Sequence, residues 1–93
     1  MKVVLKKDTT IHQSVTTTST EYDTKDMDIN IAIVEINGRY PAQGKTLNTI
    51  CKELILVIEG QGKLYIEDKI ISLNQDDVVL IEPNEEYYFE GNL

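Results

Sequence analysis

The sequence has one cysteine, no tryptophan and no long apolar run. Because Cys51 has no partner for an internal disulfide, the chain is expected to fold without covalent cross-links, which fits a reducing compartment. The longest apolar run spans residues 54–58, whereas a membrane helix needs about 20 apolar residues and a signal-peptide core about 7 to 15. The sequence therefore predicts a cytoplasmic protein that does not contact a membrane.

Positive charge is scarce as well. Nine basic residues stand against 16 acidic ones, which gives a formal net charge of −7. An average surface of this sign repels the phosphate backbone of nucleic acids and disfavours anionic ligands. We therefore expect no nucleic-acid partner.

Alanine is rare and β-branched residues are abundant. The chain contains two alanines, whereas valine, isoleucine and threonine number 7, 12 and 9 of its 93 residues. β-Branched side chains pack well on pleated strands and lose rotamer freedom in helices. At this length one domain, covering residues 1–93, is expected. The composition predicts that this domain is all-β.

Short apolar segments alternate with turn residues along the whole chain. Turns are predicted at residues 37–38, 59–62, 68–69 and 83–84, where Gly, Pro, Asn and Asp concentrate. The segment 59–62 contains two glycines and is expected to close a hairpin. The predicted strands are 1–6, an exposed strand within 14–26, 28–36, 53–58, 63–67, 70–71, 78–81 and 87–89. Strands separated by turns at this spacing indicate a sandwich or barrel.

From Gly38 onward the chain resembles the cupin superfamily, whose members are recognised by two short motifs. The first cupin motif consists of a glycine, two histidines, a glutamate and a second glycine. Six residues separate the glutamate from the second glycine. Gly38, Glu53 and Gly60 keep the glycines and the glutamate of this motif. The histidines are missing. Their places hold, depending on the spacing variant, Thr46, Leu47, Asn48 or Thr49.

The second cupin motif corresponds to residues 76–87. Pro83 is present, Asp76 and Asn84 replace the two glycines, and Tyr87 stands where a third histidine occurs in the family. The resemblance covers residues 38–92 and implies a small jelly-roll barrel, a double-stranded β-helix. Small cupins of this kind usually carry a further strand or two. The resemblance thus leads us to expect either a shortened chain or a homodimer formed through sheet augmentation or exchange of the N-terminal strand.

The resemblance also bears on metal binding. Metal-bearing cupins use three imidazoles and one carboxylate, a ligand set suited to Fe, Mn, Ni, Cu or Zn. Only the carboxylate, Glu53, is retained here, so we expect no metal and no other cofactor. His12 is the single histidine, and nothing in the spacing brings it to Glu53. We expect it on the surface.

The candidate pocket surrounds Glu53. Strand side chains alternate, so Glu53 should point inward together with Ile55 and Val57, and Tyr87 inward together with Phe89. A buried carboxylate needs a hydrogen-bond donor, and Tyr87 is the candidate for this donor. The alternative is a solvated Glu53 at the barrel mouth. The candidate pocket residues are Glu53, Tyr87, Asn48, Tyr40 and Cys51, the last expected to be a buried packing thiol.

Three functions are compatible with this pocket. The first is metal-independent binding of a small polar molecule that is neutral, such as a sugar, or cationic. The second is a cupin-type enzyme, an isomerase, epimerase or dioxygenase, that uses either His12, Glu53 and Asn48 as metal ligands or Glu53 and Tyr87 in acid/base catalysis. The third is a barrel that only dimerises.

Overall fold

The protein consists almost wholly of β-strands, in a computed structural model that describes all 93 residues. A 3-10 turn at Lys6–Asp8 is its only helical element, and no helix is long and apolar enough to cross a membrane. The all-β prediction is confirmed. The strands are β1 Thr10–Gln13, β2 Thr17–Tyr22, β3 Ile31–Tyr40, β4 Glu53–Leu56, β5 Gln61–Ile66, β6 Lys69–Asn74, β7 Val78–Ile81 and β8 Tyr87–Asn92.

The strands form two antiparallel sheets. Six strands lie in the order β1-β2-β3-β8-β5-β6, and β4 and β7 form a separate two-stranded ribbon. In the ribbon Glu53 pairs with Ile81 and Leu56 with Val78. The order β3-β8-β5 places strands that are distant in sequence side by side, as expected of a jelly roll rather than a simple meander.

Eight buried side chains between the two sheets form the core. They come from both the large sheet and the ribbon, and all of them are hydrophobic or aromatic. The core residues are Ile36, Val57, Leu64, Ile66, Leu73, Ile81, Tyr87 and Phe89. So small a core leaves much apolar surface outside it, because a small domain has a large surface relative to its volume.

Side-chain alternation in the two strands that frame the candidate site follows the predicted pattern. In β4, Glu53 and Ile55 are half-buried while Leu54 is exposed. In β8, Tyr87 and Phe89 are buried on the same side. The predicted inward orientation of these side chains is confirmed.

The predicted N-terminal strand is wrong. Residues 1–5 belong to no strand, Lys6–Asp8 form the 3-10 turn, and the first strand begins at Thr10. Val3 and Leu5 are exposed. A short run of β-formers becomes a strand only where a neighbouring strand can accept its backbone hydrogen bonds, and these residues have no such neighbour.

The predicted turn at residues 37–38 is also wrong. Both residues lie inside β3, where Gly38 pairs with Gly91 of β8, and Gly91 pairs in turn with Gly62 of β5. Gly38 has a φ of +119° and Gly91 a φ of +140°. Gly62 and Gly91 therefore serve a close approach of β5 and β8, and Gly38 takes its positive φ inside a strand rather than at a chain reversal, a role that glycine has in strand interiors.

The predicted hairpin at residues 59–62 does not form. Strand β4 pairs with β7, and β5 pairs with β6 and β8, so this segment carries the chain from the ribbon to the large sheet. Gly60 does take a positive φ of +87°. The turns after β5 and after β7 are present, with Asn84 at a φ of +70°.

Gly91→Ala should destabilise the fold strongly. A Cβ at this position would lie 2.5 Å from the Gly62 Cα and 2.7 Å from the Gln61 carbonyl oxygen. Backbone strain and overpacking together should cost about 2 to 5 kcal/mol of unfolding free energy. Gly44→Ala is the matched control: its φ is +76°, nothing lies within 4 Å of the added Cβ, and the loss should be about 1 kcal/mol. Urea denaturation measures both, and equal losses would contradict this role of Gly91.

Candidate functional site

The site is built on a hydrogen bond between the two sheets. Glu53 begins β4 in the ribbon and Tyr87 begins β8 in the large sheet. The Tyr87 hydroxyl donates to the Glu53 carboxylate, at 2.9 Å from Oε1 and 2.8 Å from Oε2. Tyr87 is 1% exposed, whereas Glu53 is only half-buried. The predicted donor is confirmed, and Glu53 is both partnered and partly exposed.

Tyr87 is held on both sides of its backbone. Its N–H donates to the Thr46 carbonyl at 3.0 Å, and the Thr46 N–H donates to the Tyr87 carbonyl at 2.8 Å. On the other side Tyr87 pairs with Ile66 of β5. Its ring meets Phe89 edge-on at 5.6 Å, a favourable aromatic geometry. The donor hydroxyl is therefore fixed by the fold before any ligand arrives.

Tyr40 belongs to the same cluster. It ends β3, pairs with Phe89 of β8 and packs half-buried against the core. Burial raises the pKa of Tyr40, and the negative charge of Glu53 raises it further. A hydrogen bond involving Thr46 opposes this shift, and Glu21 adds a weaker upward effect. Tyr40 therefore lies within electrostatic reach of the Glu53 carboxylate.

The electrostatic environment keeps the phenol of Tyr87 neutral. Burial raises the pKa of Tyr87 far above its ordinary value, and the hydrogen bond to Glu53 and the charge of that carboxylate act in the same direction. No charged side chain is buried in the core. The site thus presents a carboxylate, two neutral phenols and no cation. The Glu53 carboxylate can accept hydrogen bonds from a neutral ligand or form an ion pair with a positively charged one.

Asn48 lies in the loop that leads into β4. Its side-chain oxygen accepts the N–H groups of Ile50 at 3.1 Å and Cys51 at 2.9 Å. Its backbone carbonyl accepts the N–H of Asn84 at 2.7 Å. The Asn48 side chain therefore stabilises its own loop, as asparagine commonly does in turns.

The expectation of a buried Cys51 is wrong. The thiol is exposed and free. Strand β4 begins two residues later, at Glu53, so the alternation that turns Glu53 inward does not yet apply at Cys51.

His12 lies on β1, the edge strand of the large sheet, and is exposed. Its Nε2 is 3.4 Å from the Glu21 carboxylate. No group of three or more His, Cys, Asp or Glu side chains is arranged to hold a metal ion. The surface position expected for His12 is confirmed.

The cupin-motif comparison named Thr46 only as one of four positions that could stand in place of a histidine. The structure places its backbone against Tyr87, in an isolated bridge outside the named strands. This contact joins segments distant in sequence, so no local pattern indicates it.

A surface depression of about 750 Å³ lies elsewhere, on the outer face of the large sheet. Its lining includes Arg39, Lys63, Tyr65 and Glu90 but none of the cluster around Glu53. Next to it the Arg39 guanidinium stacks over Tyr88 at 4.2 Å, and Tyr88 stacks on Tyr65 at 4.5 Å. These groups are already partnered with one another, so we assign the candidate site to the Glu53 cluster.

The fold and this site define a cupin-like β-barrel. The profile of the family described as AraC-like ligand binding domain matches residues 52–91, a segment that lies inside the cupin-like region 38–92 and contains both Glu53 and Tyr87. The match covers less than half of the chain. A comparison with curated protein sequences found no significant match.

Solved structures show the same fold. Pac13 of Streptomyces, described as a unique nucleoside dehydratase, superposes with a TM-score of 0.88 at 15% identity, over 99% of this chain and 75% of Pac13. A Tyr-to-Phe variant of Pac13 with uridine gives the same score over 74% of its length. The CENP-C domain of Drosophila melanogaster gives a TM-score of 0.74 at 14% identity, over 96% of this chain and 67% of that domain. The predicted cupin-like architecture is confirmed.

Tyr87→Phe should flatten the loss of stability at alkaline pH. Below about pH 10 tyrosine is protonated in both the folded and the unfolded state, so the raised pKa of Tyr87 adds no pH dependence there. Above about pH 10 unfolding releases its proton, and the unfolding free energy falls by up to about 1.4 kcal/mol per pH unit. Urea denaturation of both proteins between pH 8 and 11 measures the two slopes. Parallel pH profiles would contradict the assignment.

Proposed function

We propose that this chain is a metal-independent cupin-like barrel that binds a small polar molecule, neutral or cationic, at Glu53, Tyr87 and Tyr40. The observation that carries the proposal is the 2.8–2.9 Å hydrogen bond from a fixed, neutral phenol to a half-buried carboxylate. The phenol offsets part of the cost of burying the carboxylate. It leaves accepting capacity on the carboxylate oxygens for hydroxyl or amine donors of a ligand.

The charge of the site favours certain ligand classes over others. A phosphate or carboxylate ligand would meet the Glu53 charge at close range, and the net charge of −7 would disfavour its approach. A sugar-like or nucleoside-like molecule offers hydroxyl donors to Glu53 and an apolar face to the Tyr40 ring. An organic cation would gain the Coulomb attraction of the carboxylate.

The comparisons support the ligand-binding proposal. The AraC-like profile spans the two residues of the central hydrogen bond. Three structures of Pac13 variants are described as holding uridine, a neutral molecule with sugar hydroxyls. In this proposal Asn48 shapes the loop beside the site, and Cys51 lies outside it.

Acid/base catalysis is the second candidate. The Glu53 and Tyr87 oxygens lie within the roughly 2.6 to 3.2 Å reach of catalytic proton transfer, and Pac13 is described as a nucleoside dehydratase. In such a reaction Glu53 would accept a proton from the substrate and return it to a leaving or carbonyl oxygen, while the neutral Tyr87 hydroxyl holds the carboxylate in position through its hydrogen bond. Loss of water from a bound nucleoside or sugar, or its isomerisation or epimerisation, would favour this candidate over simple binding. Binding of the ligand without any chemical change would favour the first candidate, simple ligand binding.

The proposal extends to location and assembly. We place the chain in the cytoplasm, where its single exposed thiol would stay reduced. We also propose that it works as a homodimer. A dimer without any ligand would correspond to the third function considered above, in which the Tyr87–Glu53 contact only joins the sheets.

Ligand binding should depend on the Glu53 charge. We expect uridine or a neutral monosaccharide to perturb the amide resonances of Tyr40, Glu53 and Tyr87 in NMR titrations, and uridine monophosphate to bind more weakly. Glu53→Gln should weaken binding about 10-fold or more, because hydrogen bonds to a charged acceptor are about twice as strong as neutral ones. Glu82→Gln, at an exposed carboxylate just after β7, should leave it unchanged. Equal effects of both variants would contradict the proposal.

Metal should be absent from the working protein. Protein purified without chelator should contain far less than one equivalent of Fe, Mn, Ni, Cu or Zn per chain, because one carboxylate without imidazoles is a weak transition-metal site. Elemental analysis by plasma mass spectrometry measures this. One stoichiometric metal ion that Glu53→Ala removes would contradict metal independence.

A further inference from the structure

The outer side of the two-stranded ribbon carries an unpartnered apolar surface. Leu54 pairs with Leu80 and Leu56 with Val78, and all four side chains point away from the core. They are 50% to 74% exposed, and Ile58, just beyond β4, is 63% exposed. We call these five residues the outer ribbon face: Leu54, Leu56, Ile58, Val78 and Leu80.

Such a face is unusual for an isolated chain. A two-stranded sheet is marginal by itself and normally needs packing on its faces to be stable. The inner side of the ribbon packs on the core through Val57 and Ile81, whereas the outer side packs on nothing. Together its five side chains expose on the order of 500 Å² of contiguous apolar surface, the size at which patches on monomers are often functional.

We propose that the outer ribbon face is the contact through which two copies of this chain form a dimer. Two copies of the face, packed against each other about a two-fold axis, would remove on the order of 1,000 Å² from water, the lower bound for a specific interface. A sheet face suits this geometry, because two sheets pack face to face about 10 Å apart with interdigitating side chains. The contact differs from pairing at a sheet edge or exchange of an N-terminal strand.

Charge distribution favours a second copy as the occupant. The chain carries a net charge of −7, so two copies repel each other unless they meet at a neutral surface. The outer ribbon face contains no charged residue. At its end Lys52 and Glu82 lie 3.6 Å apart. One charge of each sign at the rim is self-complementary under two-fold symmetry, and a polar rim around an apolar centre is typical of protein interfaces.

The outer face of the large sheet fits a second copy less well. Its strands place the charged side chains of Arg39, Lys63 and Glu90 in one cross-strand row. Its exposed apolar side chains Ile31 and Ile33 on β3 are separated from Ile70 on β6 by the two strands β8 and β5. Contact there would require desolvation of charges that are now in water.

The proposed contact leaves the ligand site free. Because side chains alternate along β4, Leu54 and Leu56 point outward while Glu53 and Ile55 point inward. The proposed contact therefore specifies how the proposed homodimer forms but does not involve the proposed ligand site, so its variants should retain ligand binding.

Sedimentation equilibrium of the wild-type chain, together with light scattering after size exclusion, tests the proposal. We expect a dimer between about 1 and 100 μM. Leu54→Lys should weaken dimerisation about 100-fold or more, because symmetry places the unpaired charge in the contact twice. Leu80→Ser, a milder change, should weaken it about 10-fold. Ile70→Lys and Ile31→Lys, at side chains that are 64% and 62% exposed, are the matched controls and should remain dimeric.

Folding of each variant is checked by circular dichroism and urea denaturation, and Leu80→Ser gives the answer if Leu54→Lys does not fold. A wild-type chain that is monomeric at 100 μM would overturn the proposal. So would a dimer that both ribbon variants leave intact, or one that the control variants disrupt to the same extent.

Discussion

The hydrogen bond between Tyr87 and Glu53 is the contact on which the site and the meeting of the two sheets both depend. It links the ribbon to the large sheet at the point where β4 and β8 begin, through oxygens 2.8 and 2.9 Å from the hydroxyl. A carboxylate brought into a partly buried position needs such a donor, because desolvation without one costs several kcal/mol. The same group that makes the burial of Glu53 tolerable also fixes the direction in which it can accept a ligand.

The two faces of the ribbon contribute to different parts of the molecule. Its inner face supplies Glu53 to the site and Val57 and Ile81 to an eight-residue core. Its outer face is apolar and bare. A chain of this size buries only about 60% of the surface that its unfolded state exposes. A second copy on the ribbon would therefore stabilise the fold as well as assemble it, since dimerisation that requires the folded state adds to its stability.

Local sequence patterns predicted the structure correctly where the conformation and facing of a residue depend on its immediate neighbours in sequence. The strand at residues 78–81 was predicted with the bounds it has, and the alternation of β4 and β8 placed Glu53 and Tyr87 on inward faces. The cupin-like spacing then indicated that these two residues face each other. The predictions failed at residues 37–38 and 59–62, where glycine has two competing uses. A positive φ serves a tight turn and a close approach of strands equally well.

The sequence by itself determined that the chain is all-β and which side chains share a strand face. It also determined that the chain has a single histidine and one glutamate, Glu53, at the glutamate position of the first cupin motif. These properties follow from composition and from the two-residue period of a strand. Tertiary structure alone decided that β4 pairs with β7 rather than β5, that Thr46 pairs with Tyr87, and that Cys51 is exposed. Strand pairing is set by which arrangement buries the most apolar surface and satisfies the most backbone hydrogen bonds, and that comparison involves the whole chain at once.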